Sequence, residues 1–131
     1  MLSVKKKKNL RLLFFLLGFL FIWLVDNWLA KNCLVVKNYG ISFGINGVFF
    51  LCLNIFFILF LSWYWVIKIF GNIGVFLILT GGWLNLIDRI RFGFVSDYWK
   101  FFGLYNNLAD WIIGIGILIF LVEELWKKKC K

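Results

Sequence analysis

The stretch from Val48 to Ile87, VFFLCLNIFFILFLSWYWVIKIFGNIGVFLILTGGWLNLI, decides the fold. It contains a single charged residue, Lys68, near its middle. A bilayer core about 30 Å thick needs about 20 mostly apolar residues per helix. The stretch is too long for one crossing, so it predicts a hairpin of two transmembrane helices that turns near Lys68.

Two further apolar windows flank this hairpin. The first lies between Arg11 and Asp26, and the second ends at Glu123 and Glu124. Gly114 and Gly116 within the second window predict close helix packing. The sequence therefore predicts an all-α membrane protein, a single membrane domain over residues 1–131. Its bundle has four transmembrane helices, at about 10–30, 46–67, 69–88 and 107–126, with short extracytoplasmic loops.

Composition supports this class and excludes others. The chain is 63% hydrophobic and 16% charged, with a net charge of +9. Most of that charge lies in the runs 5–8 and 127–131 beside apolar segments, which is typical of cytoplasmic anchors and not of nucleic-acid binding. With four crossings, both termini are expected in the cytoplasm. Histidine is absent, which excludes His-based triads and His-ligated metals, and we expect no metal or organic cofactor.

The N-terminal window has an alternative interpretation. A basic stretch followed by an apolar core is also typical of a cleaved signal peptide. The core here is followed by Trp23, Asp26 and Trp28 where a cleavage site would have small residues. This favours an uncleaved first helix.

The aspartates point to chemistry at one membrane face. In the four-helix layout the glutamates fall inside, and the outer ends carry Asp26, Asp88, Asp97 and Asp110. Carboxylates near lipid are costly and often mark function. Helix ends also tolerate charge, and the Asn107 to Asp110 spacing resembles a capping arrangement, so a purely structural role for any one of them is the alternative.

Amides accompany two of these carboxylates. Asn85 precedes Asp88 by three positions, and the same N-L-x-D string recurs at Asn107 and Asp110. The segment between Asp97 and Asp110 could fold back and bring the two carboxyl groups together. Two close carboxylates tend to share one proton, so one could activate water while the other polarises a carbonyl in peptide hydrolysis.

Four ordered strings then carry a resemblance. They are V-D-N-W-L-A-K at 25–31, N-Y-G-I-S-F-G at 38–44, N-L-I-D-R-I-R-F-G-F-V-S-D at 85–97 and N-L-A-D-W-I-I-G-I-G at 107–116. Together they resemble signal peptidase II, the bacterial lipoprotein signal peptidase. The segments before Asn38 and between Asp97 and Asp110 are shorter than is usual there, so the resemblance implies a reduced extracytoplasmic sheet or none.

The resemblance implies an aspartic endopeptidase that cuts diacylglyceryl-modified prolipoproteins just before the lipidated cysteine. It also implies a bacterial cytoplasmic (inner) membrane location with the active site at the extracytoplasmic face, membrane lipids as partners, and inhibition by globomycin-type cyclic peptides. The implied catalytic pair is Asp97 and Asp110, and the implied supporting or substrate-binding residues are Asn85, Asp88, Arg89, Asn107, Asn38, Gly40, Asp26 and Lys31. The alternatives are a non-catalytic homologue that binds acylated peptides and a small carrier that uses the aspartates as a proton or cation site.

Overall fold

The computed structural model describes residues 4–39, 47–67 and 72–129. The predicted turn at Lys68 and the site candidate Gly40 lie outside them. Within the described residues the expected four helices are present, and four short strands join them. The elements in chain order are α1 (Val4–Asn32), β1 (Val36–Asn38), α2 (Gly47–Ile67), α3 (Ile73–Phe92), β2 (Val95–Asp97), β3 (Trp99–Phe101), β4 (Leu104–Asn106) and α4 (Leu108–Lys129).

Two helical segments in the described part of the chain are long and apolar enough to cross a membrane. They are Leu12–Asn32 in α1 and Ile73–Phe92 in α3, and α2 adds the shorter apolar segment Asn54–Trp65. In α1 only 6% of the segment is buried inside the protein, against 39% in α3. The third helix is therefore central, and the first lies at the periphery with its apolar side chains outward.

Local capping sets the ends of α3. The side chain of Asn72 accepts a hydrogen bond from the Val75 backbone N–H at 2.9 Å, which satisfies one of the free donors of the first turn. At the other end Gly93 adopts the left-handed conformation, and its N–H donates to the Arg89 carbonyl at 3.0 Å. Only glycine takes this conformation without steric cost, so α3 ends there and the chain turns into β2.

Glycine also allows α3 and α4 to approach closely. A Cβ atom on Gly116 would lie 2.7 Å from the Gly74 carbonyl oxygen, and one on Gly74 would lie 2.6 Å from the Gly116 oxygen. Close packing at Gly116 was predicted correctly. The prediction for Gly114 was wrong, because a Cβ there would meet nothing within 4 Å.

Two antiparallel strand pairs lie where the chain leaves α1 and α3. In the first, β1 pairs with β2, and Val36, Lys37 and Asn38 face Asp97, Ser96 and Val95. In the second, β3 and β4 form a hairpin whose turn residues, Phe102 and Gly103, have φ of 47° and 82°. Positive φ at both central positions is the type I′ pattern, which matches the twist of a tight hairpin. The strand pairs carry Asp97 and lead the chain back to Asp110.

Candidate active site

The first residue of the candidate site, Asp97, ends β2 and is almost fully enclosed. It is 2% exposed. Its Oδ2 oxygen accepts a hydrogen bond of 2.9 Å from Asn38 Nδ2, and its Oδ1 oxygen accepts one of 2.9 Å from Asn107 Nδ2. Each oxygen of the carboxylate thus accepts a hydrogen bond from a different side-chain amide. Such paired hydrogen bonds keep a buried carboxylate in one orientation.

The second carboxylate, Asp110, lies in the first turn of α4. Its Oδ1 oxygen accepts a hydrogen bond of 2.8 Å from Asn85 Nδ2 on α3. Asn107 caps the helix: its Oδ1 accepts from the Asp110 N–H at 2.9 Å, and its own N–H approaches the Asp110 Oδ2 at 3.5 Å. The capping arrangement suggested by the spacing is therefore present, and it orients a carboxylate that also meets a second helix.

The two asparagines join the two carboxylates into one network. Asn107 Nδ2 donates to Asn85 Oδ1 at 3.1 Å as well as to Asp97. A continuous path of hydrogen bonds runs from Asp97 through Asn107 and Asn85 to Asp110. The segment between the two aspartates therefore does fold back, by means of the β3–β4 hairpin.

Charge and burial oppose ionisation of Asp97. Burial raises the pKa of its carboxyl, and the charge of Asp110 raises it further. The hydrogen bonds from Asn38 and Asn107 and the charge of Arg89 act in the opposite direction. The pKa nevertheless stays above its ordinary value, so the Asp97 carboxyl keeps its proton to higher pH than an ordinary aspartate does.

Asp110 lines an open groove. This groove, which we call the Asp110 groove, has a volume of about 460 Å³ and is lined by Phe101, Asn106, Asp110, Trp111, Gly114, Ile115 and Leu118. One wall belongs to the β3–β4 hairpin and the other to α4, and the lining is mostly apolar. An apolar chain lying along α4 would therefore bring its polar end to Asp110.

Three of the remaining site candidates lie apart from this groove. Asp26 and Asp88 line a smaller pocket of about 190 Å³, together with Lys31, which is exposed. Neither aspartate ends its helix as the sequence suggested, since α1 continues to Asn32 and α3 to Phe92. Asp88 Oδ2 accepts a long hydrogen bond of 3.4 Å from the Ser96 N–H, so its contact with the pair is indirect, through the residue before Asp97.

The side-chain amide of Asn85 bonds a different carboxylate from the one that its spacing in the sequence predicted. The spacing placed Asn85 beside Asp88 on one helix face, whereas its side chain reaches across to α4 and bonds Asp110. Arg89 acts on Asp97 through its charge. Within residues 4–39, 47–67 and 72–129, no group of three acidic, cysteine or histidine side chains is arranged to hold a metal ion.

A residue that the sequence gave no reason to select stands next to the pair. The hydroxyl of Tyr98 donates a hydrogen bond of 2.6 Å to Asp26 Oδ1 and accepts one of 2.9 Å from the Leu108 N–H. Aromatic residues are frequent in this chain, and the partner Asp26 is distant in sequence. No local pattern could have identified this contact.

Comparison with known proteins gives one consistent result. Residues 24–126 match the sequence profile described as Signal peptidase (SPase) II. A lipoprotein signal peptidase of Bartonella tribocorum is 38% identical over 71% of this chain and 65% of its own length. One from Bartonella bacilliformis is 33% identical over 89% of this chain and 92% of its own length. The chain thus spans just under two thirds of the first relative and most of the second.

Two solved structures of bacterial membrane enzymes have the same fold. One superposes with a TM-score of 0.73 at 23% identity, covering 89% of this chain and 90% of that one. The other has a TM-score of 0.70 at 21% identity and covers 89% and 93%. With the profile covering most of the chain and relatives above 30% identity across it, the chain belongs to the signal peptidase II family, the lipoprotein signal peptidases.

Proposed function

We propose that this chain cuts diacylglyceryl-modified prolipoproteins just before the lipidated cysteine, with Asp97 and Asp110 as the catalytic pair. Removal of lipoprotein signal peptides by an aspartic-type peptidase is the activity of the family to which the chain belongs. The observation that carries the assignment of residues is the hydrogen-bonded path from Asp97 through two asparagines to Asp110.

The environments of the two carboxylates suggest different roles. Because its pKa is raised, Asp97 holds the shared proton and donates a hydrogen bond to the scissile carbonyl oxygen. Asp110 lines the open groove and, as the other member of the pair, accepts a proton from the attacking water. The tetrahedral intermediate then collapses, a proton passes to the departing amide nitrogen, and the pair again carries one proton.

Membrane residence with four crossings belongs to the same proposal. Large apolar side chains are exposed along the helices, among them Phe14, Phe21, Phe56 and Leu118 at 74%, 68%, 69% and 65%. Such belts are stable facing lipid. The basic segments at both termini favour a cytoplasmic location for the ends, which would put the aspartates at the extracytoplasmic face of a bacterial inner membrane. Membrane lipids would then contact the bundle.

The shape and apolar lining of the Asp110 groove support the proposed classes of substrate and inhibitor. Its apolar walls run along α4 away from Asp110, and this arrangement suits a peptide whose cysteine carries acyl chains in the membrane. Cyclic lipopeptides of the globomycin type would compete for the same groove. The part of the substrate-binding region expected at Gly40 lies outside the described residues.

The test is cleavage of a synthetic diacylglyceryl prolipoprotein peptide by the purified chain in detergent, with products identified by mass spectrometry. A matched peptide without the diacylglyceryl group is the control. We expect a single cut before the lipidated cysteine and little cleavage of the control. A folded protein that binds the lipidated peptide without cutting it would instead support the non-catalytic alternative, which family membership does not favour.

A further inference from the structure

Tyr98 connects three parts of the chain around the carboxylate pair. Its hydroxyl bonds Asp26 on α1 and the N–H of Leu108 at the start of α4, at 2.6 Å and 2.9 Å. Its backbone N–H donates to the Asn106 carbonyl at 3.1 Å, at the end of β4. The side chain is 8% exposed. One buried hydroxyl therefore acts as donor to one helix and acceptor from another.

The contact with Asp26 matters because α1 buries little of its apolar segment inside the protein. Only 6% of its apolar segment is buried. Asp26, at 8% exposure, is its one buried residue in the described part of the chain. The chain leaving α1 enters β1, which ends at Asn38, the donor to Asp97 Oδ2. The position of α1 at Asp26 therefore helps to set the position of Asn38.

The hydrogen bond between the Tyr98 hydroxyl and the Leu108 N–H affects Asn107, the second side-chain amide that is bonded to Asp97. Leu108 directly follows Asn107, whose Nδ2 donates to Asp97 Oδ1. Fixing the Leu108 N–H fixes the backbone from which the Asn107 side chain projects. Tyr98 itself directly follows Asp97, so the hydroxyl ties both amides to the strand that carries the carboxylate.

The Tyr98 hydroxyl can keep both of these hydrogen bonds at any working pH. Burial raises the pKa of Tyr98 far above its ordinary value, and the hydrogen bond to Asp26 raises it further. The group stays protonated and keeps donating to the carboxylate. A phenylalanine could fill the same space but would leave both the Asp26 oxygen and the Leu108 N–H without this partner, and buried polar groups left unpaired force a rearrangement.

We propose that Tyr98 is a positioning residue for the aspartate pair, acting through Asp26 and Leu108 to hold Asn38 and Asn107 against Asp97. This inference rests on the proposed peptidase function. Misplacement of reacting groups by about 1 Å can cost about 100-fold in rate. Removal of the hydroxyl should therefore slow turnover and leave the Asp110 groove, where the substrate binds, intact.

The first experiment compares Tyr98→Phe with Tyr105→Phe, a matched change on the exposed side of the hairpin. We expect Tyr98→Phe to lower kcat about 10- to 100-fold per folded molecule with KM changed less than about 3-fold. We expect Tyr105→Phe to match wild type. Unchanged turnover per folded molecule, with any loss explained by fewer folded molecules, would overturn the proposal.

A double-mutant cycle tests the route through Asp26. If Tyr98 acts through this carboxylate, the loss of kcat in Asp26→Asn combined with Tyr98→Phe should be well below the product of the two single losses. Independent, multiplicative losses would contradict that route.

A second measurement does not depend on catalysis. In Tyr98→Phe, amide hydrogen exchange should become faster at Leu108 and in the paired strands Val36–Asn38 and Val95–Asp97, with exchange in the middle of α3 unchanged. Unchanged exchange at all of these sites would overturn the positioning role. If the wild type cuts no substrate, the proposed function fails, and the exchange measurement still decides whether Tyr98 holds this region in place.

Discussion

Asn107 donates a hydrogen bond of 2.9 Å from its Nδ2 to Asp97 Oδ1, and each of the two side chains is 2% exposed. The same asparagine caps α4 through its Oδ1. One side chain therefore has two separable roles, a structural role at the helix end and an alignment role at the carboxylate.

Substitutions at Asn107 should separate these roles. Serine is as good a cap as asparagine, whereas replacing a cap by alanine costs about 1 kcal/mol. Asn107→Ser should therefore be more stable than Asn107→Ala by about that amount in thermal unfolding. Neither variant can reach Asp97 and Asn85 as the amide does, so both should lose most cleavage. Full activity in the serine variant would show that the cap alone matters.

Asn38 should tune the pH dependence of cleavage. Its hydrogen bond stabilises the ionised form of Asp97 and so lowers the pKa that burial and the charge of Asp110 raise. In Asn38→Ala the pKa of Asp97 rises further, and its proton is lost only at higher pH. Because the active pair carries one proton, the basic limb of the kcat/KM profile should move to higher pH.

The control for this profile is Tyr39→Phe. That residue neighbours Asn38, packs edge-to-face against Phe94 with ring centroids 5.5 Å apart, and would keep this contact as phenylalanine. Its profile should match wild type. A basic limb that moved to lower pH in Asn38→Ala would mean that Asp97 is not the proton-holding member.

The packing of α3 against α4 should be disrupted by an alanine at Gly116 but not by an alanine at Gly114. Gly116→Ala places a Cβ 2.7 Å from the Gly74 oxygen and 2.8 Å from the Ile78 nitrogen. Backbone atoms cannot yield as a side chain can, so overpacking should cost about 1–3 kcal/mol. It should also lower activity, because Asn85 on α3 bonds Asp110 on α4 across the same contact.

Gly114→Ala is the matched change on the same helix, since its Cβ would meet nothing within 4 Å. Its thermal stability should equal or exceed that of wild type, because alanine favours helix over glycine. Equal destabilisation by both substitutions would argue against the close approach at Gly116.

The features that the sequence predicts are those that depend on long apolar windows and on the spacing of residues close together in the chain. Uncharged stretches identify the helices, and the spacing of Asn107 and Asp110 identifies a cap. The same spacing rule fails for Asn85, because its partner Asp110 belongs to another helix and no pattern within one helix reports it. The three-residue strands are too short for an alternating pattern. The contact of Tyr98 with Asp26 spans 72 positions and exists only once the helices are packed.

The catalytic role of the aspartate pair is best measured by cleavage of a diacylglyceryl prolipoprotein peptide by Asp97→Asn and Asp110→Asn, with Glu123→Gln as the matched loss of a carboxylate near the other end of α4. We expect both aspartate variants to fold and bind the peptide but to cut it at least about 1,000-fold more slowly than wild type, while Glu123→Gln cuts normally. Wild-type cleavage by either aspartate variant would contradict a catalytic role for Asp97 and Asp110.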